Sequence, residues 1–206
     1  MKDEFNASLP AFYDDWSRGY ADTFFNELDG KPRDRELLDL VVQRAAGGRI
    51  CDLGCGPGHI ARFMSVLGAN VQGMDISEGM VEIARQRSPE ISFMQGSFYN
   101  IQADADSFAA VVAFYSLIHA RRDRLGDVFT EIARVLEPNG IVLASFHEGE
   151  GEIFKQDVAF NFFSRDEIFS ALKAASLELE LLESREGYEI ENGTWPRLYV
   201  IARKAG

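Results

Sequence analysis

Two acids, three glycines and a histidine hold the chemistry this chain could perform. Asp52 closes the apolar run Arg49-Ile50-Cys51-Asp52-Leu53, and Gly54, Gly56 and Gly58 follow at alternate positions. A bend rich in glycine can take left-handed backbone angles and let a ligand approach the main chain. Asp75 ends a second apolar run, Val71-Gln72-Gly73-Met74-Asp75. Carboxylates at strand C-termini line the ligand crevice of an open α/β sheet. Such a carboxylate can accept both hydroxyl hydrogens of a ribose. A helix-cap or turn role is the alternative for Asp75. His119 follows a further apolar run and is the first candidate for a general base, because imidazole titrates in the useful range. Its alternative is a polar residue that helps close the crevice. His147 is a second candidate for the same crevice, and His59 reads as local structure at a helix start.

These side chains need elements that bring strand ends together. Ile60, Phe63, Met64 and Leu67 form one stripe of an amphipathic helix directly after the glycines. Strand, glycine bend and helix together open a nucleotide-type binding unit. The pattern predicts five strands: Ile50 to Leu53, Val71 to Asp75, Ile91 to Gln95, Phe108 to Tyr115 and Ile141 to Phe146. The fourth is continuously apolar, as befits a parallel strand buried on both faces. Between strands four and five, Leu125, Val128, Phe129, Ile132 and Leu136 form a helical stripe that stops at the turn Glu137-Pro138-Asn139-Gly140.

Ahead of this core, Ala11 to Ala46 reads as helical with a break at Gly30-Lys31-Pro32. Tyr13, Trp16 and Tyr20 share one face of the first helix. After the core, Glu148 to Phe163 shows no firm period. Ser164-Arg165-Asp166-Glu167 has capping-box spacing and starts another helix. Leu177 to Leu182 and Arg197 to Ala202 read as closing strands around the loop Gly187 to Gly193. Strands alternating with helices specify an α/β domain with a mostly parallel sheet.

Composition narrows the partners. Of 206 residues, 33 are acidic and 21 basic, a net charge of -12. That surface repels phosphate backbones, so no nucleic acid is expected. Cys51 and Cys55 have no further Cys or His cluster beside them, so buried thiols are expected and a metal site is not. No apolar run approaches the roughly 20 residues that cross a bilayer, and Met1-Lys2-Asp3-Glu4 leads into no secretory core. A cytoplasmic protein without membrane contact is expected, as a monomer or homodimer.

The glycine spacing bears on the ligand. Dinucleotide binding favours G-x-G-x-x-G, and His59 stands where that pattern wants its third glycine. The run Cys51-Asp52-Leu53-Gly54-Cys55-Gly56-Pro57-Gly58 resembles the first motif of class I S-adenosylmethionine-dependent methyltransferases, particularly the small-molecule group. Met74-Asp75-Ile76-Ser77 looks like that family's second motif, and Gly96-Ser97-Phe98 occupies its adenine-contact segment. Phe108 to His119 is similar to the fourth-strand motif, and Arg134 to Gly140 to the turn before strand five. Two positions depart from the pattern: Ser97 replaces the usual acid, and Ala109 stands where an acid often follows Phe108.

The resemblance implies a Rossmann-like three-layer sandwich whose seven-stranded sheet is mostly parallel, with the last strand antiparallel. It implies a single domain over 1–206: an N-terminal helical cap (1–46), a cofactor-binding core (47–147), a candidate substrate flap (148–163), and a C-terminal helix with closing strands (164–206). It implies S-adenosyl-L-methionine as cofactor, with S-adenosyl-L-homocysteine as product. The cofactor contacts would be Tyr20, Asp52, Gly54, Cys55, Gly56, Gly58, Asp75, Ile76, Ser97, Phe98 and Phe114. A small-molecule acceptor would take the methyl by in-line displacement, with His119 receiving its proton. Tyr20 covering the cofactor and Tyr20 merely packing its helix stand as alternatives. Phe154, Phe160, Phe162 and Phe163 would serve either an acceptor pocket or a structural flap. Arg121, Arg122 and Arg124 read as a solvated face, with substrate carboxylate binding as the alternative. Arg197 reads as part of a half-exposed strand or as a residue of the crevice rim. Rival functions are an NAD-dependent oxidoreductase or epimerase, and a non-catalytic protein that keeps the fold.

Overall fold

The computed structural model describes residues 7–189 and 195–206. Met1 to Glu4, and residues 190–194 of the loop expected at Gly187 to Gly193, lie outside the described residues.

Helix α1 (Leu9–Phe24) leads through a 3₁₀ turn (Glu27–Gly30) into α2 (Pro32–Ala45). Pro32 opens α2 because its fixed φ suits a first helical turn whose N–H needs no partner. Strand β1 (Arg49–Leu53) and helix α3 (His59–Val66) flank the glycine bend. Then come β2 (Asn70–Asp75), α4 (Glu78–Arg87), β3 (Ser92–Gln95), β4 (Phe108–Phe114), α5 (Leu125–Val135) and β5 (Leu136–Glu148). The predicted turn Glu137 to Gly140 does not separate helix from strand. It is absorbed into β5 as an irregularity, where the register against β4 shifts between Phe108 and Ala110 and Asn139 takes φ 65°.

The parallel core runs in the order β3-β2-β1-β4-β5. β9 (Arg197–Lys204) lies antiparallel beside β5, and β8 (Leu177–Arg185) antiparallel beside β9. The last strand is therefore the reversed one, as expected of the seven-stranded plan. Two further strands bring the sheet to nine among the described residues. They are β6 (Glu152–Lys155) and β7 (Val158–Phe163), an antiparallel hairpin whose β7 touches β5 through His147 with Phe162 and Glu148 with Phe163. The segment read as lacking a period is this hairpin. Val158, Ala159, Asn161, Phe162 and Phe163 are all buried, so β7 lacks the alternation that marks a half-exposed strand.

Helices cover both faces. On one, Phe129 and Ile132 of α5 and Leu172 of α6 (Arg165–Ala174) pack against Val111 and Phe146. On the other, Leu38 and Val41 of α2, Met64 of α3 and Val81 of α4 pack against Ile50, Val112 and Leu143. Truncating a buried Phe such as Phe129 to Ala costs about 3–5 kcal/mol in such a core. The strand ends above it are thus held on a rigid base.

Candidate functional site

The glycine bend sits over the C-terminal edge of the sheet. The amides of Gly54 and Cys55 both donate to the Met74 carbonyl, at 2.7 and 3.0 Å, tying the bend to β2. Gly54 (φ +76°) also abuts the end of β4, where a Cβ would lie 2.2 Å from that of Ser116. Gly56 (φ +52°) is the opposite case: no atom lies within 4 Å of where its Cβ would be. Its bare main chain faces a cleft of about 840 Å³, counting the space open to solvent.

Asp75 lines this cleft at the end of β2. Its Oδ2 accepts the Gly56 N–H at 2.8 Å and its Oδ1 the Ser77 N–H at 2.9 Å. Each oxygen keeps a lone pair for a further donor. Burial raises its carboxyl above the ordinary value, while the amide bonds from Ser77 and Gly56 oppose that shift. Ile76, Gly96, Ser97, Phe98 and Met80 continue the wall on this side.

Helix α1 lies across the opening. Asp14 on α1 accepts from the Ser77 hydroxyl, and from the Gly79 amide at 3.0 Å, which docks the helix on the start of α4. That clamp places Tyr13 and Tyr20 in the cleft wall, whereas Trp16 of the same aromatic face is exposed.

His119 completes the far wall, in the short 3₁₀ turn after β4. Its Nδ1 lies 2.9 Å from the Ala159 carbonyl on β7. A carbonyl can only accept, so Nδ1 carries hydrogen and the neutral ring keeps its lone pair on Nε2. The Tyr13 hydroxyl donates to that Nε2 at 2.8 Å. Burial lowers the imidazole to about 4, against an opposing contribution from the Ala159 bond. The ring of Phe160 stands 4.7 Å from it, edge-on.

Of the residues singled out in the sequence, Tyr20, Gly54, Cys55, Gly56, Asp75, Ile76, Ser97, Phe98, Phe114 and His119 all line the cleft. Asp52 and Gly58 do not. Asp52 is buried beneath the bend, where it accepts the Ala61 amide of α3, and burial pushes its carboxyl up to about 8. Its Oδ2 has no hydrogen-bond partner among the described residues. Gly58 faces the core, its Cβ position 2.9 Å from the Phe93 ring.

His147 stands outside the cleft, among Tyr115, Phe162 and Trp195 at ring distances of 5.5 to 5.9 Å. Of the four hairpin phenylalanines only Phe160 reaches the His119 wall; Phe154 is 62% exposed and Phe163 is in the core. Arg121 pairs with Asp123 and Arg124 with Asp127. Arg122 instead pairs with Glu167 and donates to the carbonyls of Gly151 and Phe162, pinning the hairpin. Arg197 is buried, its guanidinium 5.7 Å from the Tyr115 ring centre. Both cysteines are free and buried, and burial pushes the Cys51 thiol up to about 12.

Leu9, Glu27, His59, Tyr115 and Ser116 also line the cleft and were not singled out for it. Tyr115 does carry one local signal after folding, a left-handed φ of 50°. A strained backbone angle in a bulky residue marks a position that the surrounding structure enforces. Among the described residues, no cluster of three or more His, Cys, Asp or Glu could hold a metal ion.

The family model described as a methyltransferase domain matches residues 50–140, the stretch from β1 to the bulge in β5. A demethylmenaquinone methyltransferase from Clavibacter sepedonicus is 34% identical over 145 residues. The chain is similar to class I S-adenosylmethionine-dependent methyltransferases. The match to that relative covers 67% of this chain and 58% of the relative, so the chain spans little over half of its length. Among solved structures, a 1,6-didemethyltoxoflavin-N1-methyltransferase from Burkholderia thailandensis superposes with TM-score 0.79 at 18% identity, covering 100% of this chain and 91% of its own. The [4+2]-cyclase SpnF gives TM-score 0.75 at 20% identity, covering 96% of this chain and 95% of its own. At such identities the likeness concerns the methyltransferase fold.

Proposed function

We propose that this chain binds S-adenosylmethionine and transfers its methyl group to a small-molecule acceptor. The observation that carries this reading is the open face of Gly56 beside the Asp75 carboxylate, in a cleft roofed by Tyr13 and Tyr20. The residues present fit the cofactor. The bare main chain at Gly56 is a cradle that a Cβ would fill, Asp75 can receive two hydroxyl hydrogens, and Ile76 and Gly96 to Phe98 flank an adenine site. When bound, S-adenosylmethionine supplies a methyl group already activated on its sulfonium. The chain then has three tasks: to align the acceptor, to exclude water and to hold its proton.

Leu9, Tyr13, Tyr115 and His119 offer a largely aromatic wall for the acceptor. Nε2 of His119 is the atom suited to take a proton, because the Ala159 carbonyl holds the ring in the tautomer that keeps this nitrogen basic. Before the acceptor arrives, the Tyr13 hydroxyl occupies that lone pair. An acceptor O–H or N–H therefore either displaces Tyr13 or passes its proton through it. The hairpin, fastened by Arg122 and bearing Ala159 and Phe160, serves as a substrate flap. Neighbouring structures carry small ligands: the Burkholderia enzyme is described with bound 1,6-didemethyltoxoflavin and S-adenosylhomocysteine. No described helix is long and apolar enough to cross a membrane. Free buried thiols suit a reducing compartment, and we place the protein in the cytoplasm.

Calorimetry with S-adenosylmethionine, S-adenosylhomocysteine and NAD tests the cofactor. Binding of NAD alone rejects the reading. Transfer of a labelled methyl group across a panel of small acceptors then tests the reaction. The fold neighbour described as a cyclase makes this second step necessary, since cofactor binding without transfer would favour another use of the same cleft.

A further inference from the structure

The β6–β7 hairpin keeps its charged and polar side chains in solvent, with one exception. Glu152, Lys155, Gln156 and Asp157 are exposed, whereas Asn161, between Phe160 and Phe162 in β7, is buried. A carboxamide taken out of water costs free energy unless its hydrogens find acceptors, and an aliphatic residue would fill the same space without that cost. Both amide hydrogens of Asn161 are placed. Its Nδ2 donates to the Ile118 carbonyl at 2.8 Å and to the Ala120 carbonyl at 3.0 Å. Those carbonyls stand on either side of His119, in and just after the 3₁₀ turn that follows β4. Two residues earlier on β7, hence on the same side of the strand, the Ala159 carbonyl accepts from Nδ1 of that histidine at 2.9 Å. One strand therefore grips the main chain before and after His119, and its ring as well.

Attachment of the hairpin does not account for this arrangement. β7 is held to β5 through His147 with Phe162 and Glu148 with Phe163. Arg122 also donates to the Phe162 carbonyl at 2.9 Å and pairs with Glu167. The Asn161 bonds fall elsewhere, on the two peptide groups that set where the His119 side chain starts. With the main chain held there and Nδ1 on Ala159, Nε2 is the end of the ring that meets Tyr13 in the cleft wall.

We propose that Asn161 is a positioning residue for methyl transfer: through the Ile118 and Ala120 carbonyls it sets the place and the tautomer from which His119 receives the acceptor's proton. This rests on the reading of His119 as the proton acceptor, and adds a residue that does not itself line the cleft. The proton that the acceptor gives up as it takes the methyl group rests on Nε2, and the ring becomes imidazolium with its Nδ1–H still on Ala159. A misplacement of about 1 Å can cost roughly 100-fold in rate, so a base on a short turn gains from being held on both sides.

Two measurements separate positioning from mere support of the fold. The first needs no acceptor: heteronuclear NMR at neutral pH reads the tautomer of the His119 ring, one of three histidines in the chain, assigned by its loss in His119→Gln. Wild type should show hydrogen on Nδ1 alone, and slow exchange of the Asn161 side-chain hydrogens with water. Asn161→Leu keeps the bulk but neither hydrogen, and should show a mixture of both tautomers. Asn161→Ser, smaller and with one donor left, serves where the leucine variant does not fold. The second is a double-mutant cycle on transfer of a labelled methyl group from S-adenosylmethionine to a small acceptor that wild type methylates. Asn161→Ser should lower kcat by about tenfold or more, with KM for S-adenosylmethionine within about twofold. In the His119→Gln background the same change should cost less than about twofold, because nothing is left to position. Exchange of the Asn161 hydrogens as fast as in an exposed amide overturns the proposal, and needs no variant. An unchanged tautomer in the folded variants overturns it too, as does an equal loss of kcat in both backgrounds. Failure of the underlying reading is distinct: His119→Gln alone would then retain full turnover, whatever Asn161 does to the ring.

Discussion

The hydroxyl of Tyr13 donates to Nε2 of His119 across 2.8 Å, closing α1 onto the turn after β4. This bond joins the element that covers the cleft to the residue proposed to take a proton. Replacing Tyr13 with Phe leaves Nε2 buried and without that donor, which costs about 1–3 kcal/mol. Urea unfolding should register the loss at neutral pH, and unchanged stability would mean that the lid contact contributes nothing. His119→Gln should lower methyl transfer to a proton-bearing acceptor by roughly 100-fold or more, with cofactor affinity retained. Full turnover at every pH would remove His119 from the reaction.

His119 also predicts a pH dependence. In the folded chain its imidazole is lowered to about 4 from an ordinary value of 6.5. Between those values the unfolded chain binds the extra proton and the folded chain does not, so stability falls as pH drops from 6.5 toward 4. His119→Gln should flatten that part of the curve. The acid limb of turnover should likewise sit near pH 4. A limb at 6.5 would contradict the buried, neutral ring.

Gly54 and Gly56 should answer differently to the same substitution. Gly54→Ala drives a methyl group into Ser116, 2.2 Å away, and should yield little folded protein. Gly56→Ala meets no atom within 4 Å, so it costs only the left-handed angle, about 1–2 kcal/mol. The folded Gly56→Ala protein should bind S-adenosylhomocysteine about tenfold or more weakly, because the methyl occupies the cradle. Unaltered affinity would place the cofactor elsewhere.

Asp52 carries the opposite linkage to His119. Burial lifts its carboxyl from 3.8 to about 8, so the folded chain holds a proton that the unfolded chain has released. Stability from this group is therefore present below 3.8 and lost as pH rises to about 8. Asp52→Asn keeps an oxygen for the Ala61 amide and never ionises. Its stability relative to wild type should rise steadily between those pH values, as read by thermal unfolding at fixed ionic strength. A constant difference would show that Asp52 is not desolvated in solution.

The glycine bend, Asp75 and the five parallel strands could be read directly because each is a local pattern. An apolar run that ends in an acid and opens into glycine reports its own burial and its own turn. The cap residues Ser77 and Ser164 were legible for the same reason, since each bonds within its own first turn. The hairpin β6–β7 was not legible. Its second strand is buried on both faces, which removes the alternation that would have announced it. Glu27 shows why a site residue can be invisible: in the chain it is one acid among 33, and nothing near it in sequence marks it.

The chain's own order of residues thus determined the layered α/β core, the bend that faces the cleft and the acid beside it. Folding decided which distant side chains meet there. Tyr13 reaches His119 across 106 positions, Glu27 reaches His59 across 32, and His147 is turned away among aromatic rings. Periodicity records only which face of an element avoids water, whereas meetings between elements follow from how those faces pack, and that is settled in three dimensions.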